Sequence, residues 1–97
     1  MKTAIRVKNE TDLAIQIRDN KSEDNMTDYI TKAIIGASAR GLYEVEVKKV
    51  DLQKRVLEGS DFAAIYNKIT VALTSYGYVL TEDESNISLI ISWENPV

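Results

Sequence analysis

The sequence predicts an α+β fold: a two-layer sandwich in the order ββαβαββ, with two helices on one face of a mixed sheet. Three observations lead there. Two stretches place apolar residues at helical intervals and close on a glycine, several shorter stretches alternate apolar and polar residues, and the last two strands flank an acidic turn.

Residues 3–18 read as two short strands. Ile5 and Val7 alternate with polar neighbours in "TAIRV", as do Leu13, Ile15 and Ile17 in "LAIQI", with "KNETD" as the hairpin loop between them. The polar break "RDNKSEDN" follows, and Asn25 is placed to cap a helix whose positive end Glu23 and Asp24 would suit. From Met26 to Arg40, Met26, Tyr29, Ile30, Ala33, Ile34 and Ala37 share one helical face, and Gly41 supplies the left-handed stop.

"LYEVEVKKV" predicts a half-buried strand, with Tyr43, Val45 and Val47 on one side and Glu44, Glu46 and Lys48 on the other. "DLQKRVLEG" fits a short helical turn or an irregular connection. Ser60 is the next N-cap candidate, with Asp61 in the first turn. Phe62, Ile65, Tyr66, Ile69, Leu73 and Tyr76 then mark a second amphipathic helix that ends at Gly77. Tyr78–Thr81 and Ile87–Trp93 are the closing strands, joined by "EDESN", and Pro96 ends their pairing. Strand, helix and strand in succession predict a crossover between parallel strands, followed by an antiparallel hairpin.

The 97 residues suit one domain over 1–97, with 1–20 a possible hairpin arm and 25–95 the core. The formal charge of -3 offers no basic footprint for nucleic acid, so no nucleic-acid partner is expected. Without cysteine the chain has neither thiolate nucleophile nor Cys-based zinc site, and without histidine it lacks the commonest general base and metal ligand. A bilayer span of roughly 20 apolar residues is missing, and Arg6 and Lys8 interrupt any leader-like apolar start. The expectation is a protein that is not secreted and has no membrane partner; the triplets at Asn9, Asn25 and Asn86 then lack a glycosylation context.

Catalytic material is thin. Glu82, Asp83 and Glu84 cluster in the expected turn and Glu23, Asp24 and Asp28 at the expected helix start, without the desolvated cleft that separates carboxylate pKa values. "DNKSED" fails as a calcium loop because Lys21 takes a ligand position and the required glycine is missing. The four glycines form no phosphate cradle, and Ser60, Ser75, Ser88 and Ser92 lack a histidine partner, although Ser–Lys chemistry stays open. Lys48, Lys49, Lys54 and Arg55 have no interleaved aromatic platform, which favours a solvated strand edge. No enzyme activity, metal or cofactor is expected.

Apolar residues on the wrong faces are the remaining signal. Ile35 lies opposite Met26, Val71 lies opposite Phe62, and Ile90 sits on the polar side of the last strand between Ser88 and Ser92. Ile35, Val71, Ile90 and Trp93 are therefore the candidate interface residues. Ile90 could be covered by the N-terminal hairpin folding back or by a partner subunit, while Trp93 and Tyr78 also suit the rim of the core.

"AIIGASARG" (33–41) and "LTSYGYVLTEDESNISLIISW" (73–93) resemble a loose group of small tailed-bacteriophage proteins. These share a glycine-terminated helix, a strand, a second helix, then L-x-x-x-G-Y-x-V, a polar turn and a last strand ending I-x-W. Leu73, Gly77, Tyr78, Ile91 and Trp93 match, and Val79 stands one place early. The resemblance covers about residues 25–95, leaves the N-terminal segment unmatched and has no family catalytic residues to transfer. It implies a phage or prophage origin more than an activity. Together with the missing catalytic residues and the off-face apolar residues, it leads to the expectation of a non-enzymatic protein of the host cytoplasm or the virion. That protein is expected to associate with itself or another protein, as a virion component or a homo-oligomer subunit. The alternatives are a small phage inhibitor of a host or defence protein, and an oligomer that binds a small ligand.

Overall fold

The computed structural model describes residues 3–83, 85 and 87–95. Three helices and three strands are present among them, in the order α1 (Ala4–Ala39), β1 (Glu44–Lys48), α2 (Lys49–Gln53), α3 (Phe62–Ser75), β2 (Val79–Glu82) and β3 (Ser88–Ser92). The fold is α+β, as expected. The order ββαβαββ and the mixed sheet are not observed, because the chain starts with a helix and the sheet is antiparallel throughout, in the order β1-β3-β2.

The largest correction concerns residues 3–18, which are helix and not a hairpin. α1 has 36 residues, with Thr3 as the N-cap whose hydroxyl accepts from the Arg6 N–H at 3.3 Å. Ion pairs one turn apart, Arg6–Glu10 at 3.5 Å and Lys8–Asp12 at 2.7 Å, support its first turns. A two-stranded hairpin is marginal without a third strand or a covering layer. Here helix propagates backwards from the packed half of α1, which carries the buried Met26, Ile30 and Ala37, and skips the costly nucleation step. Asn25, the expected N-cap, therefore lies in mid-helix and donates from Nδ2 to the Arg55 carbonyl at 3.3 Å.

Both helix stops follow the glycines. Gly41 (φ 79°) and Gly77 (φ 94°) are left-handed. Around Gly41, its N–H reaches the Ser38 carbonyl and the Leu42 N–H the Ala37 carbonyl; around Gly77, its N–H reaches Thr74 and the Tyr78 N–H reaches Leu73. These are Schellman closures, which need a positive φ at the residue after the cap. α3 opens on Asp61, whose carboxylate accepts from the Ala64 N–H at 3.2 Å, so Asp61 and not Ser60 is the cap.

In the sheet, β3 pairs antiparallel with both neighbours: Val45 faces Ile91 and Val47 faces Leu89 on one side, Leu80 faces Ile91 and Glu82 faces Leu89 on the other. β1 and β2 consequently run in the same direction, as a crossover through α3 requires, but the last strand lies between them. The face carrying Val45, Val47, Leu80, Leu89 and Ile91 meets Met26 and Ile30 of α1, Leu52 of α2 and Ile65 and Ile69 of α3 in a single core. Along the expected last strand Ile87–Trp93, Leu89 and Ile91 are buried, Trp93 is half-buried, and Ile87 is 55% exposed because it precedes β3.

Only the half of α1 after residue 17 belongs to this body. Residues 4–17 are all exposed and project as a helical arm about 20 Å long. The molecule measures 60 × 25 × 21 Å, and its radius of gyration of 16.6 Å exceeds the about 12.5 Å of a compact chain this long. Glu84, Asn86 and Pro96, which figure in the expected turn, glycosylation triplet and strand end, lie outside the described residues.

Candidate functional site: a groove between two helices

A groove of ≈ 530 Å³ lies between α1 and α3. Ile69 is its buried floor, Ile34 and Leu73 line it half-buried, and Thr27, Thr31, Ile35 and Ala72 form the upper walls. Tyr76 and Tyr78 stand at one end. At the other, Lys68 Nζ meets Glu23 Oε2 at 2.9 Å and ties the two helices together. The lining is mainly hydrocarbon, with two threonine hydroxyls, two tyrosines and one neutralised ion pair, so the groove suits an apolar body.

Ile35 is 62% exposed on the wall of this groove. The other three candidate interface residues lie elsewhere. Val71, 61% exposed, borders a shallow hollow with Thr70, Thr74 and Leu80. Ile90 is half-buried on the outer sheet face, in a third hollow with Tyr43, Glu44 and Glu46, and the N-terminal segment does not cover it. Trp93 packs edge-on to Tyr78 at 6.4 Å, and its N–H donates to the Tyr43 carbonyl at 2.9 Å, which extends the β1–β3 ladder. The four residues therefore do not form one patch.

Two contributors escaped the pattern of the sequence. Tyr76, expected on the buried face of α3, is 83% exposed because it is the C-cap, where the chain leaves the helix. The arm carries Ile5, Leu13 and Ile17 in water, and their alternating spacing pointed to strands.

Several described members of the polar clusters have structural partners. Glu82 turns to the body: Tyr66 donates to its Oε1 at 2.9 Å and Lys49 Nζ lies 3.3 Å from the same atom. The Tyr66 hydrogen bond, followed by Lys49, holds the Glu82 carboxyl below its ordinary range, while burial first and then Glu82 push the Tyr66 phenol well up. Asp83 closes the β2–β3 turn, with Oδ1 accepting from the Ile87 N–H at 2.8 Å. Glu23, Asp24 and Asp28 lie within α1 and not at its start, and Asp28 pairs with Lys32 at 3.0 Å. Among the described residues no group of three acidic side chains could hold a metal ion, and no helix is long and apolar enough to cross a membrane.

Ser60 belongs to a relay. The Leu57 N–H donates to Ser22 Oγ at 3.0 Å, Ser22 and Ser60 hydroxyls meet at 2.9 Å, and Ser60 donates to Asp19 Oδ1 at 2.9 Å. Every member is satisfied, and the relay docks the 57–60 loop onto α1. Two of the basic residues stand over aromatic rings: Lys49 sits 5.1 Å from the Tyr66 ring centre and Arg55 4.5 Å from that of Tyr29.

No protein-family model, curated protein or solved structure matches the chain.

Proposed function

We propose that this chain is a non-enzymatic, phage-type protein that acts through protein–protein association, as a virion component or as the subunit of a homo-oligomer. One observation carries the reading: an apolar-studded helical arm and an apolar groove are both left in water by the same chain. Ile5, Val7, Leu13, Ile15 and Ile17 gain nothing from folding while they remain exposed. Five large apolar side chains on one exposed arm, beside an open apolar groove, favour a covering partner. Light scattering and native mass measurement at micromolar concentration test the reading. Oligomers, or a stoichiometric complex with another virion protein, are expected; a monomer that no such protein binds sinks it.

A second reading, binding of a small ligand, has the groove in its favour, since ≈ 530 Å³ falls within the range of small-molecule sites. Saturable shifts of the Leu73 and Tyr78 resonances with a small aromatic compound, with no change in mass, would favour it.

A further inference from the structure

We propose that the groove between α1 and α3 receives the α1 arm of a second copy, in a two-fold antiparallel dimer whose axis passes beside Asn20. The inference rests on the association reading and names its partner. One face of α1 runs through Ile5, Asn9, Leu13, Ile17, Asn20, Glu23, Thr27, Thr31 and Ile35, all within about 120° of arc at about 100° per residue. The last four of these also line the groove.

Antiparallel pairing of this face is centred on Asn20, midway between the arm and the groove wall. Leu13 and Ile17 then stand against the aliphatic parts of Thr27 and of Glu23, whose carboxylate stays with Lys68. Antiparallel pairing sets Ile5 against the second copy's Ile35, Asn9 against its Thr31, Leu13 against its Thr27, Ile17 against its Glu23, and Asn20 against its Asn20. A two-fold interface requires such reciprocity, each contact occurring twice with the roles exchanged. The stretches 5–17 and 23–35 are also equal in length, about 18 Å each, so the arm fills the groove from the Glu23–Lys68 end to Ile35. Polar side chains meet polar ones at two levels, Asn9 with Thr31 and Asn20 with itself, where amide and hydroxyl groups can pair. The two Asn20 side chains stand at the centre of this arrangement, where their amides can meet.

The surroundings leave the face open. The 57–60 loop is held by Asp19 and Ser22, and Ser22 lies on the side of α1 opposite Asn20, which is itself exposed. The paired faces run about 45 Å, and each arm has a second side against Ala72 and Tyr76 of the groove, an extent on the order of the 800 Å² per partner buried by stable interfaces. A parallel pair would bring arm to arm and leave the groove without an occupant.

The chain has no cysteine, so introduced cysteines report the geometry directly. In the full chain, an equal mixture of Ile5→Cys and Ile35→Cys should give an intermolecular product with a short bismaleimide. Asn20→Cys should cross-link to itself. Ile5→Cys alone should not, because its two copies stand about 45 Å apart. Leu13→Glu, on the exposed arm, should weaken dimerisation more than tenfold with the helical circular dichroism of the monomer retained. A dimer in which Ile5→Cys links to itself and not to Ile35→Cys overturns the antiparallel geometry and leaves association standing. A monomer at micromolar concentration, with no cross-link in any variant and no virion protein bound, overturns both.

Discussion

Tyr66 donates its phenolic hydrogen to Glu82 Oε1 at 2.9 Å, and this contact joins α3 to β2 across the edge of the core. Its two partners titrate in opposite directions, which makes the contact readable by pH. The Glu82 carboxyl is lowered on folding, so its contribution is present at neutral pH and is lost as pH falls through the folded value. The Tyr66 phenol is raised, so its contribution is present below the ordinary tyrosine range and declines as pH climbs above about 10. Tyr66→Phe should return the Glu82 carboxyl towards its ordinary value and flatten both limbs of the stability–pH curve. Urea denaturation across the acid and alkaline ranges, with carboxyl NMR of Glu82, measures this; unchanged limbs would contradict it.

Ser22→Ala should destabilise the body by about 1–3 kcal/mol, the cost of an unsatisfied buried polar group. Ser22 is fully buried and its oxygen accepts from the Leu57 N–H. Equilibrium unfolding in urea gives the number, and amide exchange at Leu57 should accelerate. A loss below a few tenths of a kcal/mol would mean that the relay does not hold the 57–60 loop.

Gly59→Ala combines a backbone cost with a steric one. The residue has φ 90°, and an added Cβ would stand 2.6 Å from Arg18 Nη1. The guanidinium can swing away, but the left-handed backbone remains unfavourable by about 1–2 kcal/mol for a side-chain-bearing residue. Gly59→Ala is therefore expected to stay destabilising in an Arg18→Ala background, as thermal unfolding of the two single variants and the double variant would show.

Ile91→Ala and Ile87→Ala should differ sharply although the residues are close in sequence. Ile91 is fully buried at the centre of the sheet, and its truncation should cost about 2–5 kcal/mol. Ile87 is exposed ahead of β3, and its truncation should stay within about 0.5 kcal/mol. Equal losses in urea would place the strand register elsewhere.

Much of the body was legible beforehand because its signals are local. A glycine that must take positive φ marks a helix end whatever surrounds it, so Gly41 and Gly77 located two boundaries. Alternation identified β1 and the β2–β3 hairpin, and with them the buried Val47, Leu89 and Ile91. Ile35 and Val71 stood out as apolar residues on polar faces and are indeed exposed, whereas Ile90 is half-buried. The groove was not legible, since it depends on how α1 and α3 pack together and on Tyr76 capping one of them.

Ser60 shows the same limit at a single residue. Its type suited a helix cap, and Asp61 suited it equally; the buried Ser22 on a distant turn of α1 takes Ser60 into the relay and leaves the cap to Asp61. Propensity ranks such neighbours closely, and a long-range hydrogen bond decides between them.

By itself the sequence determined the α+β class, both glycine-closed helix ends and the alternating strands, because φ preference and side-chain period act within a few residues. Tertiary structure alone decided that residues 4–17 continue a helix, that β3 enters between β1 and β2, and that a groove opens beside Ile35. An alternating segment can satisfy its backbone as a strand only beside another strand. With the packed half of α1 already helical at its C-terminal end, the cheaper path for residues 4–17 is one more intrahelical hydrogen bond per residue.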